Sequence, residues 1–290
     1  MDRHSPGELK CVETWDQLDC RLLHAYDGMI PRRGDSYEAF PGSAYHLWWV
    51  RRGWVRVEAL GRSVEAGPGQ WLMNAVEVKR VQSFSVNAAI VSLWFIARWS
   101  DGHPLFDHGL PLVIPSGDGS KLEPSVAELL DALGHPRTWD GSSVQQRDFT
   151  FSAFLKLRCR FADFISAWGE TLLQLGLRPM PSRPLDARID ACLAELEKSG
   201  FFACIPYARL TALSGLSRVH LDRLFLKATS LTPRAYVDRK CLSEVLFLLR
   251  DRRRSIKEIA YVLSFSGPAH FSAWFRRQTG MSPKALRELP

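Results

Sequence analysis

Two hydrophobic periods divide the chain. Between Leu18 and about Arg98, short runs rich in Val, Ile, Trp and Phe are cut by Gly, Pro, Asp and Asn. They predict strands at Cys20–Tyr26, Ala44–Arg51, Trp54–Leu60, Gln70–Asn74, Val78–Val81 and Ala88–Ile96. Gly53, Gly61 and Gly67-Pro68-Gly69 mark turns between them. After Asp101–Pro115, which reads as a connecting loop with His103 as a surface side chain, the period becomes helical. One helix is predicted over Leu122–Leu133 and a longer one over about Val144–Leu177. The longer one carries Phe151, Phe154, Leu155, Phe161, Phe164, Ile165, Trp168, Leu172 and Leu175 on a broad apolar face. Such a face suits packing on its own β-domain, and it equally suits an antiparallel helix pair between two subunits.

Pro179, Pro181 and Pro184 forbid continuation of that helix, so residues 179–184 read as a linker between a domain of residues 1–178 and a second of residues 185–290. Helix restarts at Leu185, with Ile189, Cys192, Leu193 and Leu196 as its packed stripe and Ser199-Gly200 as its end.

From Ile205 to Pro283 one pattern occurs twice, offset by about 50 residues. Leu221, Leu224 and Phe225 answer Phe271, Trp274 and Phe275. Thr232-Pro233 answers Ser282-Pro283, each a hydroxyl N-cap ahead of a proline at the first helical position. In the second unit Ser255 and Glu258 form a capping-box pair that opens a short helix with Ile256, Ile259, Ala260 and Leu263 as its stripe. A turn at Ser264–Pro268 follows, and then another helix. The first unit repeats this with Leu210 and Leu213, a turn at Ser214-Gly215-Leu216, an N-cap at Ser217 and a stripe of Leu221, Leu224, Phe225 and Ala228. Gly215 suits the left-handed conformation of such a turn. Between the units, Pro233–Leu249 reads as one rod of roughly 25 Å. The units are thus two helix-turn-helix motifs, at about 205–228 and 255–279. At 100° per residue the first leaves Val219, Asp222, Arg223 and Leu226 pointing outward, as a helix entering a DNA major groove requires.

Charge supports that reading. The net charge is +7, but residues 180–290 hold 19 Lys+Arg against 10 Asp+Glu, whereas residues 1–179 hold 19 against 21. The basic half is the half that would neutralise phosphates. The six cysteines, Cys11, Cys20, Cys159, Cys192, Cys204 and Cys241, form no CxxC pair and fit a reducing cytoplasm. The first residues lack a hydrophobic signal core. The longest apolar run, Ala88–Ala97, is far too short to span a membrane, so a soluble intracellular protein is expected.

The segments GLSRVHLDRLF, SLTPRAYV, SIKEIAYVLSFS and HFSAWFRRQTGMSP resemble the two-unit DNA-binding domain of the AraC/XylS family of bacterial transcription regulators, from about Leu185 to Leu289. The resemblance implies two recognition helices in successive major grooves of promoter DNA, on one side of the duplex, with RNA polymerase as a further partner. Carried over by position, the DNA-binding residues are Arg218, Val219, His220, Asp222, Arg223 and Lys227 in the first unit. In the second they are Ser266, Gly267, Ala269, Ser272, Ala273, Arg276 and Arg277. Arg223 is the candidate for a bidentate contact to guanine, and Asp222 for accepting from a cytosine amine. Ala269 and Ala273 can at most touch a thymine methyl, which leaves Arg276 and Arg277 for phosphate. Departures from the family pattern are Thr211 for a small Ala, Ser264 for the second turn Gly, and Cys241 and Val245 where Arg and Ala are common.

The segment YHLWWVRRGWVRVEALGRSVEAGPGQWLMNAVEVKRVQ resembles the cupin-like jelly-roll barrel that many members carry as an N-terminal effector-sensing domain. The fold class expected is therefore α+β in two domains. A cupin-like antiparallel β-barrel with C-terminal helices precedes an all-α DNA-binding domain. His46, Trp48, Arg56, Trp71 and Arg80 are the candidate effector pocket, aromatic walls with cations suiting a sugar ring or an organic anion. No metal, cofactor or enzymatic activity is expected. An enzymatic cupin needs clustered His and Glu ligands, whereas here His46 stands alone and Arg80 falls about where a later His belongs. His103, His108 and His135 have no metal-ligand spacing. A regulator answering to a small molecule and one answering to a partner protein both remain compatible with these residues.

Overall fold

The computed structural model describes residues 12–30, 37–39, 44–76, 78–107, 109–136, 144, 147–181, 186–198, 205–229, 231–249 and 254–288. Cys11, Cys204, His108, Ser199-Gly200 and Pro184-Leu185 lie outside the described residues. The chain forms two compact units: residues 1–97 with 104–180, and residues 181–289 with 98–103.

Among the described residues, the first unit has a one-turn helix, α1 (Val12–Trp15), followed by nine strands. They are β1 (Leu18–Met29), β2 (Tyr37–Ala39), β3 (Tyr45–Arg52), β4 (Val55–Ala59), β5 (Arg62–Ala66), β6 (Trp71–Asn74), β7 (Arg80–Phe84), β8 (Ala89–Trp99) and β9 (Leu112–Ile114). Two open sheets result, ordered β1-β8-β3-β6-β9 and β2-β7-β4-β5. This corrects the barrel: among the described residues the sheets are not closed on each other by hydrogen bonds. Between them lies an apolar core that draws Trp48, Val50, Leu72 and Ile90 from one sheet and Val55, Val57, Ala66 and Phe84 from the other.

Alternation explains the facing. On β4, Val55, Val57 and Ala59 are buried while Arg56 and Glu58 are exposed. The tight turn to β5 places Leu60 at φ 51° and Gly61 at φ 76°, the two positive values that a primed hairpin turn requires. The sequence pattern missed β2, β5 and β9. The last lies inside Asp101–Pro115, read above as loop, where Leu112–Ile114 pairs with β6. His103, expected at the surface, instead sits 3.1 Å from the carboxylate of buried Asp101.

The other face of the five-stranded sheet is covered by helix α3 (Phe151–Gln174), with α2 (Leu122–Ala132) beside it. Phe95 meets Phe161, Phe164 and Trp168 edge-on, and Tyr45 meets Trp168 at 4.8 Å. The long helix starts later than the apolar pattern indicated, because Thr150 caps it by accepting from the Ala153 amide. It ends in a Schellman motif, with Gly176 at φ 85° and the Leu177 amide bonded to the Leu172 carbonyl. Only its later turns are buried; Phe151, Phe154 and Leu155 are 79%, 46% and 45% exposed.

The second unit is helical: α4 (Ala187–Lys198), α5 (Tyr207–Ser214), α6 (Arg218–Thr229), α7 (Pro233–Leu248), α8 (Ile256–Val262), α9 (Pro268–Thr279) and α10 (Pro283–Glu288). The duplication is physical. Thr229 and Thr279, 50 residues apart, each return a hydroxyl to the carbonyl four residues back, Phe225 and Phe275, both at 2.9 Å. Thr232 and Ser282 then cap the next helices through the Ala235 and Ala285 amides. Among the described residues, no helix is long and apolar enough to cross a membrane, and no group of three or more His, Cys, Asp or Glu is placed to hold a metal ion.

Ser264 has φ 59°, the left-handed conformation that Gly215 occupies in the first unit at φ 65°. A side chain there costs about 1 kcal/mol. Ser264→Gly should therefore stabilise the helical unit, measured as a rise in its denaturation midpoint; an unchanged or lower midpoint would show that the serine is held there without strain.

Candidate nucleic-acid interface and a polar interior

In the first helix-turn-helix, Leu221 and Phe225 seat α6 in a core with Leu210 of α5 and Ile189, Cys192, Leu193 and Leu196 of α4. The turn is fixed by Ser214, whose hydroxyl donates to the Leu210 carbonyl at 2.8 Å and accepts from the Leu216 amide. With the inner stripe buried, Arg218, Val219, His220, Arg223, Leu226 and Lys227 are exposed. Asp222 is not fully outward. It is half-buried beside Tyr207 of α5, whose phenol is pushed above its ordinary pKa by burial and then by the Asp222 charge. The Arg218 guanidinium lies 4.1 Å from the centre of the same ring. Tyr207 thus holds two residues assigned to DNA, a role that nothing in the repeat pattern signalled.

The second unit is built alike. The Ser255–Glu258 capping box opens α8, and Phe265, Phe271, Trp274 and Phe275 pack inward. Ser266, Ala269, Ala273, Arg276 and Arg277 are exposed, and Gly267 and Ser272 are half-exposed. The Ser266 hydroxyl is 3.1 Å from His270 Nδ1. Some basic side chains elsewhere in this unit are paired, Arg209 with Glu195 at 2.8 Å and Arg188 with Asp186 at 2.7 Å. Arg223, Lys227, Arg276 and Arg277 make no such pair among the described residues, so their charge is available to phosphate and base edges.

Of the five candidate pocket residues, three share the space between the sheets. A row of polar and aromatic side chains crosses the five-stranded sheet there. His24 lies 5.8 Å from the Trp94 ring, Trp94 lies 4.1 Å from the His46 ring, and Asn74 is the cross-strand partner of His46. From the facing sheet, buried Arg80 donates to His46 Nδ1 at 3.1 Å and to Gln82 Oε1 at 3.3 Å. Arginine has no acceptor, so Nδ1 must accept and the ring proton sits on Nε2. One step along β3, Trp48 donates to Ser92 at 3.1 Å. Asn74 is 1% exposed, and among the described residues neither atom of its amide has a hydrogen-bond partner.

Arg56 and Trp71 do not belong to this group. Arg56 is on the solvent side of β4, paired with Glu65 at 2.7 Å. Trp71 faces the opposite side of its sheet, stacked on Trp49 at 5.4 Å.

A family model described as a helix-turn-helix domain matches residues 210–289. Over 103 residues the chain is 36% identical to the HTH-type transcriptional activator RhaS of Klebsiella pneumoniae (strain 342) and 34% identical to RhaS of Enterobacter sp. (strain 638). That stretch is 36% of this chain and 37% of each relative, so the chain spans little more than a third of the curated relatives it matches. In fold, the chain is similar to an apo variant of ToxT from Vibrio cholerae, with TM-score 0.52 at 15% identity over 94% of this chain and 97% of that one. It is similar also to wild-type ToxT bound to an unsaturated fatty acid, with TM-score 0.50 at 14% identity over 93% and 95%. The two-part architecture, a β-sheet unit followed by a helical one, is common to them. The doubled helix-turn-helix, the domain match and the RhaS relatives coincide: over its helical unit the chain is similar to transcriptional activators of the helix-turn-helix type.

Proposed function

We propose that this chain is a sequence-specific DNA-binding transcription regulator whose N-terminal unit takes a small effector. The observation that carries the first part is the pair of recognition helices α6 and α9, each buried on one face and presenting arginines on the other. The RhaS relatives are activators by name, and activation through RNA polymerase is the matching role here.

The effector reading rests on the interior row. An amide with both atoms unsatisfied costs about 1–3 kcal/mol in a core, and a ligand that both donates and accepts removes that cost. The row combines Asn74 with His46, Arg80 and Trp94, which favours a compact molecule bearing hydroxyl or carboxylate groups. A fatty acid such as the one in ToxT would offer this row chiefly hydrocarbon.

The exposed Phe151, Phe154 and Leu155 of α3 add a third element, a face suited to a second copy of the chain. Light scattering should give a dimeric mass for the wild type and a monomeric one for Phe154→Asp; a monomeric wild type would remove this element.

The two recognition helices should respond differently to loss of charge. Arg223→Ala should cost about 1–3 kcal/mol and relax preference at one base pair, read by competition among duplex variants. Arg276→Ala should weaken all sequences alike and reduce the slope of affinity against salt. Equal losses on every sequence for Arg223→Ala would make it a phosphate contact.

Asn74→Leu should raise the melting temperature, because it replaces an unsatisfied amide with an apolar side chain of similar size, while abolishing the response of a reporter promoter to its inducing condition. A lower melting temperature with regulation intact would make Asn74 a structural residue and sink the pocket.

A further inference from the structure

The linker helix α7 touches the two recognition helices through residues only two positions apart. Positions i and i+2 on a helix are about 200° apart, so Tyr236 and Asp238 face opposite ways. Tyr236 lies edge-on to Phe225 of α6, with ring centres 5.8 Å apart. Asp238 reaches α9. Its Oδ1 accepts from the Trp274 indole Nε1 at 3.0 Å, and its Oδ2 accepts from Arg234 Nε, one turn back on α7, also at 3.0 Å. Trp274 is 1% exposed and the Asp238 side chain 16%.

The two attachments differ in kind. An aromatic edge contact tolerates sliding and rotation. A hydrogen bond from an indole to a carboxylate, whose second oxygen is pinned by an arginine, fixes a direction. On α9, Ser272 and Arg276 each lie two residues from Trp274, about 160° around the helix from it. Whatever sets the rotation of Trp274 therefore sets where those two point. That rotation matters more here than in the first unit, because Ala269, Ser272 and Ala273 offer mostly close contact, whose energy depends steeply on distance.

We infer that Asp238 is a positioning residue for the second recognition helix, holding its DNA-facing side in register with the linker through Trp274. The inference rests on the DNA-binding reading, so its test has one arm without DNA.

In that arm, the Trp274 indole N–H resonance of the full chain, assigned through Trp274→Phe, should shift and exchange faster in Asp238→Ala. It should stay close to wild type in Asp238→Asn, which keeps an acceptor oxygen. An unmoved resonance in Asp238→Ala would overturn the latch whatever the protein binds.

In the other arm, duplexes selected by the wild-type chain from a random-sequence pool are footprinted. Asp238→Ala should bind about tenfold more weakly. It should keep protection over the segment sensitive to Arg223→Ala and lose it over the neighbouring segment. Trp274→Phe should do the same, the double variant should be no weaker than either single one, and Asp238→Asn should recover most of the protection. Loss of both segments together, or additive losses in the double variant, would make Asp238 a general stability residue. A wild-type chain that selected no duplex, with the resonance behaving as expected, would overturn the DNA-binding reading and leave the latch standing.

Discussion

Burial of α7 on more than one side is the constraint on which the helical unit depends. Tyr236, Val237, Cys241, Val245 and Leu248 are all buried, and at 100° per residue they span about half the helix circumference, with Asp238 just beyond. Such a helix has no single apolar stripe, because it serves as core for two neighbours. Two of the chain's four departures from the pattern of the family it resembles, Cys241 and Val245, fall on this helix. Cys241 and Val245 are fully buried, and burial pushes the Cys241 thiol far above its ordinary pKa, so it acts as a small hydrophobe. A guanidinium at that position would need a counter-charge within the same core.

The N-terminal sandwich obeys the opposite economy. One end of the space between its sheets is filled by Val50, Val55, Val57, Leu72, Phe84 and Ile90. The other is crossed by His24, Trp94, His46 and Asn74 with Arg80 opposite. A purely structural interior would have been more stable with an apolar group in place of Asn74, since a polar side chain without a partner in a core carries its full desolvation cost. Polar burial confined to one end fits a site that trades stability for recognition.

What could be read in the residues themselves was whatever local rules determine. The capping box at Ser255 and Glu258, the caps at Thr232 and Ser282, and the left-handed Gly215 and Ser264 all follow from interactions within a few positions. The missed strands are three to five residues long, and β9 exists only because β6 offers it a partner, which no local pattern encodes. The pocket residues failed for a related reason. Membership of the interior is a matter of strand parity. Arg56 alternates with Val55 and Val57, so its outward facing could have been read directly. Trp71 lies in a strand buried on both faces, where alternation carries no information. Asn74, Trp94 and His24 join His46 only through cross-strand neighbours distant in sequence.

Two polar groups, buried Asn74 and partly buried Asp238, can be weighed against each other. Asp238 has both oxygens engaged, by Trp274 and by Arg234; its bonds are complete within the fold, so the fold itself accounts for it. Asn74 has neither atom engaged among the described residues, so none of them offsets its desolvation. The same physical rule, that a buried polar group must find partners, accounts for the first within the fold and is the ground for the ligand proposed at the second. An amide held between two sheets beside a histidine and an arginine supports the proposed effector site, where an entering molecule with both a donor and an acceptor would satisfy it.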